Sequence, residues 1–204
     1  RVDRRQRQMC IRDSGGSIDH KDGYRIHHFP PKITERGLLF NLDFGDKRCE
    51  PGWNGGSTDV FGDLSGNGRN FTRSGGEPWT SYAGGVRHFD GSNDHIYRTD
   101  TSLFTVGSKF TIEFSFRFES ASTRQGLVSS HMSHGGTHQD AIEIEIQANN
   151  TLLTGFRRSP GDTFTGAQGA SISTNVWYDV AMVVDGQTVR QYINGSQTAT
   201  NSYT

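Results

Sequence analysis

The sequence predicts an all-β protein, built as a sandwich of antiparallel strands. The best evidence is the segment 110–118, where Phe or Ile occupies every second position and the residues between them are polar or charged. Side chains of a strand alternate between its two faces, so this spacing places the five apolar residues on one face. The 26 glycines, together with the lack of a 3.6-residue apolar repeat, favour many short strands joined by tight turns.

Strand patterns recur along the rest of the chain. The segments that carry them are 24–29, 37–43, 86–91, 142–147, 152–156, 177–184 and 188–193. Asn149-Asn150, Asp185-Gly186 and Asn194-Gly195 follow three of these segments, and such dipeptides favour hairpin turns. The segment 177–184 is apolar on both faces, so we expect an interior strand that is covered on both sides.

The first 14 residues are interpreted as a translated sequencing adapter. Arg4 to Ser14 match, codon by codon, the in-frame translation of a transposase adapter, so residues 1–14 are excluded from reasoning about the fold. A natural basic tail that binds nucleic acid is the alternative. We also expect the natural N-terminus to lie upstream, so the absence of a signal peptide from this sequence carries no information.

Excluding the adapter changes the charge and the cysteine count. Five Arg and two Asp are removed, and the formal net charge moves from −1 to −4. No concentrated basic patch remains, so nucleic acid is not an expected partner. Cys49 becomes the only cysteine and has no partner for an internal disulfide. No run of about 18 apolar residues occurs, so no membrane-spanning helix is expected.

Four phrases together resemble one family. They are Gly37–Asp43, Asp63–Asn70, Phe89–Asp94 and Trp177–Gly195. In this order and spacing they resemble the laminin-G-like, concanavalin A-like lectin/glucanase domains, over residues 33–204. The resemblance implies a two-sheet antiparallel jelly-roll sandwich with one concave sheet. Family members continue with further strands after the last phrase. We therefore expect a domain truncated at its C-terminus, with an open sheet edge and a tendency to aggregate or melt at low temperature.

Residues 15–32 are predicted to be a leader or linker. Their phrase Gly23–Phe29 is similar to the end of a short β module found in tail fibres of marine phages. This similarity favours a phage tail or virion protein as the source, with a secreted microbial surface protein as the alternative. A virion or extracellular location and a homo-oligomer formed through the parent protein are the matching expectations.

Catalysis is the first chemistry to consider, because retaining glucanases of the resembled family carry Glu-x-Asp-x-Glu on one strand of the concave sheet. This chain has Glu143, Glu145 and Gln147 at those positions. Two carboxylates about 5.5 Å apart suit a retaining mechanism, but a Gln cannot exchange a proton. We therefore predict a non-catalytic domain. A glycoside hydrolase is the less favoured alternative, and the polar face of an ordinary hairpin explains the same residues.

Calcium is the candidate cofactor, since relatives of this fold often bind it at a sheet rim. The candidate ligands lie in two Gly-rich loops and are Asp63, Asn67, Asp90, Asn93 and Asp94. Such oxygens are the ligands that Ca²⁺ prefers, although Asp and Asn also cap turns. A second cluster, His131, His134 and His138, could bind zinc. We expect these histidines to be exposed in a flexible loop instead.

Four aromatic residues in loops or at strand ends are candidates for stacking on a sugar: Trp53, Trp79, Tyr82 and Tyr97. Loops commonly carry function on such scaffolds, but these aromatics would serve equally to plug the open ends of a sandwich. We predict a non-catalytic module for carbohydrate binding or adhesion, with a surface glycan as its partner. A structural spacer or oligomerisation domain without a ligand is the alternative.

Overall fold

The structure, a computed structural model, describes residues 17–21, 24–28, 37–46, 48–49, 60–76, 79–80, 86–99, 109–121, 123–134, 137–157 and 163–202. The chain divides into two compact units, which we call the N-terminal unit (residues 1–100) and the sandwich unit (residues 101–204). Residues 1–14, interpreted as an adapter, lie outside the described residues. No described helix is long and apolar enough to cross a membrane.

The N-terminal unit contains short antiparallel strands. They are β1 (Ser17–Lys21), β2 (Tyr24–His28), β3 (Val60–Phe61), β4 (Phe71–Ser74), β5 (Trp79–Thr80), β6 (Val86–Arg87) and β7 (His95–Tyr97). They form a β1-β2 hairpin, a three-stranded sheet of order β3-β4-β7 and a β5-β6 pair. The strand predicted at 24–29 is found as β2, and the one at 86–91 is reduced to β6. The hairpin partner β1 was not predicted.

The prediction of a strand at 37–43 is wrong. Residues 38–43 belong to no sheet, and side chains hold this segment in place of a β-ladder. Asn67 Nδ2 donates to the carbonyl oxygens of Leu38 (2.8 Å) and Leu39 (3.1 Å), and Arg69 Nη1 donates to Leu39 O at 2.7 Å. Residues 37–43 do carry the apolar pattern. However, the carbonyl groups of Leu38 and Leu39 accept hydrogen bonds from the loop that contains Asn67 and Arg69, and not from a neighbouring strand.

The sandwich unit contains two four-stranded antiparallel sheets. Its strands are β8 (Lys109–Phe116), β9 (Gln125–His134), β10 (Thr137–Ile146), β11 (Thr151–Phe156), β12 (Thr165–Ser171), β13 (Tyr178–Asp185), β14 (Thr188–Ile193) and β15 (Ser196–Ser202). Sheet A has the order β12-β11-β10-β9, and sheet B has the order β15-β14-β13-β8. The predicted all-β antiparallel sandwich is confirmed.

The core lies between the two sheets. Its fully buried side chains include Ile142, Ile144, Ile146, Leu152 and Phe156 from sheet A and Val180, Met182, Val184 and Val189 from sheet B. The apolar residues of β8 pack against this cluster, as their alternation predicted. Burying one such side chain stabilises a fold by roughly 1.5–3 kcal/mol, so the core is the main source of stability for this unit.

The hairpin turns follow the predicted dipeptides. Asn194 and Gly195 both have positive φ, at 50° and 78°, as a type I′ turn between twisted strands requires. The turn at Asn149-Asn150 holds Asn150 at a φ of 60°. Asn and Gly adopt this left-handed backbone at less cost than other residues, which is why these three positions could be located from the sequence.

Three details of the sandwich unit differ from expectation. Strand β13 is interior in sheet B, but Ala181 and Val183 on its outer face are only half-buried, so it is not covered on both sides. Residues 196–202 form a full strand, β15, which was not predicted. The histidine cluster does not lie in a loop, since His131 and His134 belong to β9 and His138 to β10.

A buried amide connects the two sheets. Gln191 of β14 is fully buried, and its Nε2 donates to Leu152 O of β11 at 2.9 Å and to Ala167 O of β12 at 3.3 Å. Its Oε1 accepts a hydrogen bond from Thr198 Oγ1 at 2.8 Å. A buried polar group is tolerated when its hydrogen bonds are made, and here those bonds link sheet B to backbone carbonyls of sheet A.

Candidate functional site

The face of sheet A that points away from the core carries a row of polar side chains. The three isoleucines of β10 point into the core, so Glu143, Glu145 and Gln147, which alternate with them, lie on the opposite face. Gly155 and Leu153 of β11 are the antiparallel partners of Glu143 and Glu145. We call the outward residues of β9–β12 around these two glutamates the polar face of sheet A.

Arg124 links the two glutamates of this face. Its Nε donates to Glu145 Oε2 at 2.5 Å, and its Nη2 donates to Glu143 Oε1 at 2.8 Å. Gln147 Nε2 donates to the other oxygen of Glu145. Both carboxylate oxygens of Glu145 therefore have a donor, which satisfies the needs of a buried charge.

Burial differs between the members of this network. The Glu145 side chain is 4% exposed, that of Glu143 is 17% exposed, and that of Arg124 is 62% exposed. The hydrogen bond and the charge of Glu145, followed by the charge of Glu143, raise the pKa of the Arg124 guanidinium above its ordinary value. Arg124 thus remains a cation that orients both carboxylates, and Glu143 is the carboxylate that a ligand can reach more easily.

The polar face continues on the neighbouring strands. Gln168 of β12 pairs with Leu153 of β11, and Gln168 Nε2 donates to Thr151 Oγ1 at 2.7 Å. Gly126 of β9 is the partner of Glu145 on the other side, and it has no neighbouring atom within 4 Å of its Cβ position. The face therefore combines acceptors, amides and open surface, an arrangement suited to binding a hydroxyl-rich ligand by hydrogen bonds.

The predicted calcium ligand Asp63 lies at the centre of a hydrogen-bonded loop. Its Oδ1 accepts the N–H groups of Asn41 and Ser65, both at 2.9 Å, and its Oδ2 accepts Ser65 Oγ at 2.7 Å and the Arg69 N–H at 3.0 Å. Burial opposes ionisation of Asp63, but the bonds from Ser65, Asn41 and Arg69 outweigh it and lower the pKa of this carboxyl. Asn67 of the same loop bonds to Ser65 Oγ at 3.0 Å through its Nδ2.

The second predicted calcium loop brings Asp90 and Asp94 together. Asp94 Oδ2 accepts the Asp90 N–H at 3.0 Å, and Asp94 Oδ1 accepts the Gly76 N–H at 2.7 Å. These backbone bonds, from Asp90 first and Gly76 second, lower the pKa of Asp94. Asp90 Oδ1 caps the Ser92 N–H at 2.7 Å, and the Asn93 carbonyl faces His95 Nδ1 at 3.1 Å.

In both loops the predicted calcium ligands accept hydrogen bonds from the protein itself. The carboxylate of Asp63 accepts N–H and O–H donors, and that of Asp94 accepts N–H donors. Within the described ranges, no three His, Cys, Asp or Glu side chains are grouped so that they could hold a metal ion. Calcium binding stays a prediction, and the residues seen here serve as turn caps.

Of the four predicted aromatic residues, Trp53 and Tyr82 lie outside the described residues. Trp79 lies on β5, opposite Arg87, and only its backbone is described. Tyr97, at the end of β7, is 40% exposed, and its ring centroid lies 5.3 Å from that of His95. Tyr97 is therefore available to a ligand, but the structure does not test these aromatics as a common site.

Arg124 was not predicted from the sequence, because its position depends on how strands β9 and β10 pair. The β9–β10 register places Gly126 opposite Glu145, so Arg124, two positions before Gly126, lies next to the two glutamates. A bulge between Ile144 and Glu145 contributes to this placement. Neither the register nor the bulge can be read from residue spacing alone.

Similarity to individual known proteins is limited. No curated protein matches the sequence. A solved structure of an S-layer domain-containing protein from Clostridium thermocellum is 22% identical, with a TM-score of 0.44. The alignment covers 72% of this chain and 66% of that structure, so the chain spans about two thirds of its length.

A family model provides the firmer result. Residues 90–204, more than half of the chain, match the family described as the concanavalin A-like lectin/glucanases superfamily. The match includes the whole described sandwich unit with sheets A and B. The chain belongs to the concanavalin A-like lectin/glucanases superfamily.

Proposed function

We propose that this protein is a non-catalytic carbohydrate-binding module and that the polar face of sheet A is its binding surface. The observation that carries this proposal is the linked set of Arg124, Glu143, Glu145 and Gln147 on the strand face opposite the core. Membership of a lectin/glucanase superfamily supports the same function class, while the site itself supplies the chemical argument.

A sugar suits this surface because its hydroxyl groups donate and accept hydrogen bonds along a flat outline. Glu143 is partly exposed and accepts a bond from Arg124 through Oε1. A carboxylate oxygen accepts more than one hydrogen bond. Glu143 can therefore accept a hydrogen bond from a sugar hydroxyl while Arg124 holds the carboxylate in position. Bonds to a charged acceptor are stronger than neutral ones, and such fixed acceptors orient a ligand with little loss of entropy.

The same network argues against hydrolysis. A retaining mechanism needs one carboxylate that donates a proton and a second that attacks. Gln147 carries an amide where the resembled glucanases carry a carboxylate, and Glu145 accepts bonds from Arg124 and Gln147 on its two oxygens. Both oxygens of Glu145 are thus engaged by side chains of the protein, and its side chain is only 4% exposed, so it is poorly placed to reach the oxygen of a glycosidic bond.

The biological setting is part of this proposal. We place the module in a surface-exposed protein, either a phage tail or virion component or a secreted microbial adhesin, with oligomers formed through the parent protein. The similarity of Gly23–Phe29 to a phage tail-fibre module supports the first setting. Binding of a surface glycan fits both.

The test is binding of the full chain to a panel of soluble polysaccharides, measured by affinity electrophoresis and calorimetry. We expect Glu143→Gln to weaken binding about tenfold or more, since a charge-assisted hydrogen bond contributes roughly 1.5–3 kcal/mol. Glu119→Gln is the matched control, because Glu119 also pairs with an arginine, Arg117 at 2.5 Å, but follows β8 of sheet B.

Each result has a defined meaning. Loss of binding in Glu143→Gln, with unchanged binding in Glu119→Gln, supports the polar face as the site. Failure of the unaltered chain to bind any polysaccharide overturns the proposal in favour of a structural spacer. Sugar release that disappears in Glu143→Gln overturns the non-catalytic assignment. Repeating the titration with calcium and with a chelator tests the calcium prediction separately.

A further inference from the structure

A phenylalanine ring lies over two glycines on the polar face of sheet A. Gly155 of β11 and Gly166 of β12 are partners in the antiparallel register, and Phe164 precedes β12. A methyl group at position 155 would lie 2.5 Å from Phe164 Cε1, and one at position 166 would lie 3.1 Å from the same atom. The ring therefore occupies the space that two side chains would otherwise fill.

This ring is bordered by apolar and charged groups. Leu153 Cδ1 would lie 2.9 Å from a methyl group at position 166, so Leu153 extends the apolar surface beside the ring. The Arg157 guanidinium carbon lies 5.9 Å from the Phe164 ring centroid, a cation–π distance that helps to fix the ring. Phe164 itself remains partly exposed.

The ring is also next to the glutamate network. Glu143 is the direct partner of Gly155 on β11, and directly opposed residues have Cβ positions about 4.5–5.5 Å apart. Phe164, seated over Gly155, thus lies alongside the more accessible carboxylate of the site. An apolar ring and a hydrogen-bond acceptor are therefore neighbours on one surface.

We propose that Phe164 is a stacking residue for one unit of a neutral hexopyranose chain and that Gly155 and Gly166 form the seat that holds its ring flat. This inference rests on the proposed function and adds a binding residue and a ligand class. A hexopyranose whose hydroxyls are equatorial presents a flat C–H surface that packs on an aromatic plane. Its hydroxyls project from the rim, where Glu143 can accept a hydrogen bond.

The test uses cellohexaose, a neutral chain whose hexopyranose units carry equatorial hydroxyls, with the full chain and four variants. Phe164→Ala removes the ring, Phe164→Leu keeps apolar volume without a plane, and Gly155→Ala displaces the ring without removing it. Phe89→Ala is the matched control, because Phe89 is an exposed phenylalanine of the N-terminal unit and is not part of the polar face of sheet A. We expect the first three variants to weaken binding at least tenfold and Phe89→Ala to bind as the unaltered chain does.

Saturation-transfer NMR separates stacking from a structural role. We expect the axial sugar protons of the bound unit to show the strongest transfer, and Phe164→Leu to abolish this pattern at an unchanged melting temperature. Unchanged binding in Phe164→Leu and Gly155→Ala, alongside loss in Glu143→Gln, overturns this inference and leaves the proposed function standing. Binding by the unaltered chain to charged polysaccharides alone overturns the ligand class, and absence of all glycan binding overturns both proposals.

Discussion

The two units of this protein stabilise their chain by different means. In the sandwich unit, long antiparallel ladders position a core in which residues such as Ile144 are fully buried. In the N-terminal unit, the described strands have two to five residues, and a single carboxylate, Asp63, accepts four hydrogen bonds from three residues. Leu39, in the segment that lies beside this carboxylate, is 39% exposed.

This difference shows what a polar residue does in each setting. Around Asp63, polar atoms satisfy backbone groups that have no ladder partner. On the polar face of sheet A, the ladder already satisfies the backbone, and the Glu143 and Arg124 side chains hydrogen-bond to each other. The predicted calcium ligands lie in the first setting and the proposed glycan site lies in the second.

The largest difference in stability between the two units is expected when a large apolar side chain is shortened to alanine. Ile144→Ala should lower the free energy of unfolding of the sandwich unit by about 2–5 kcal/mol, since it leaves a cavity in a buried core. Leu39→Ala should change stability by less than about 0.5 kcal/mol. Urea denaturation of the full chain, with hydrogen exchange read separately for residues 37–76 and 109–202, measures both. Equal losses in the two variants would contradict the contrast.

An intermediate effect is expected at the amide that joins the sheets. Gln191→Ala removes the donor to Leu152 O and Ala167 O and leaves the Thr198 hydroxyl without its acceptor. The free energy of unfolding should fall by about 1–3 kcal/mol. Gln197→Ala is the control, because Gln197 is exposed and accepts only the Tyr192 hydroxyl among the described bonds, at 3.2 Å. Urea denaturation measures the free energy of unfolding of both variants. If Gln191→Ala lowers it no more than Gln197→Ala does, the link through Gln191 does not stabilise the sandwich unit.

The smallest effect is expected at Asp63 and depends on pH. The pKa of this carboxyl is lowered in the folded chain, so its stabilising effect is present above the unfolded value of about 3.9 and is lost as the pH falls through the folded value. Asp63→Asn should cost about 1 kcal/mol at neutral pH and abolish this dependence.

Amide chemical shifts provide the measurement for Asp63. The Asn41 and Arg69 amide protons, which bond to this carboxylate, should titrate with a midpoint below about 3.9 and lose that transition in Asp63→Asn. Asp90→Asn is the control, because Asp90 caps Ser92 in the other loop. A midpoint above the unfolded value, or the same loss in Asp90→Asn, would contradict the assignment.

Prediction from sequence succeeded where structure is local. The alternation at 110–118 and at 142–147 identified β8 and β10 and the face that each buries. It failed at 37–43, where an apolar pattern has no ladder because Asn67 and Arg69 satisfy its carbonyl groups from a distant loop. It also missed β15, whose polar sequence becomes a strand by pairing with β14.

By itself, the sequence determined the all-β class, the buried faces of the long strands and the turns at Asn149-Asn150 and Asn194-Gly195. These features depend on a two-residue period and on backbone preferences of single residues, which act within a few positions. Only the tertiary structure decided that Arg124 meets Glu145, 21 residues away, and that the Phe164 ring rests on Gly155. Those contacts depend on register, bulges and packing between strands, and a one-residue shift in register would move every side chain to the other face.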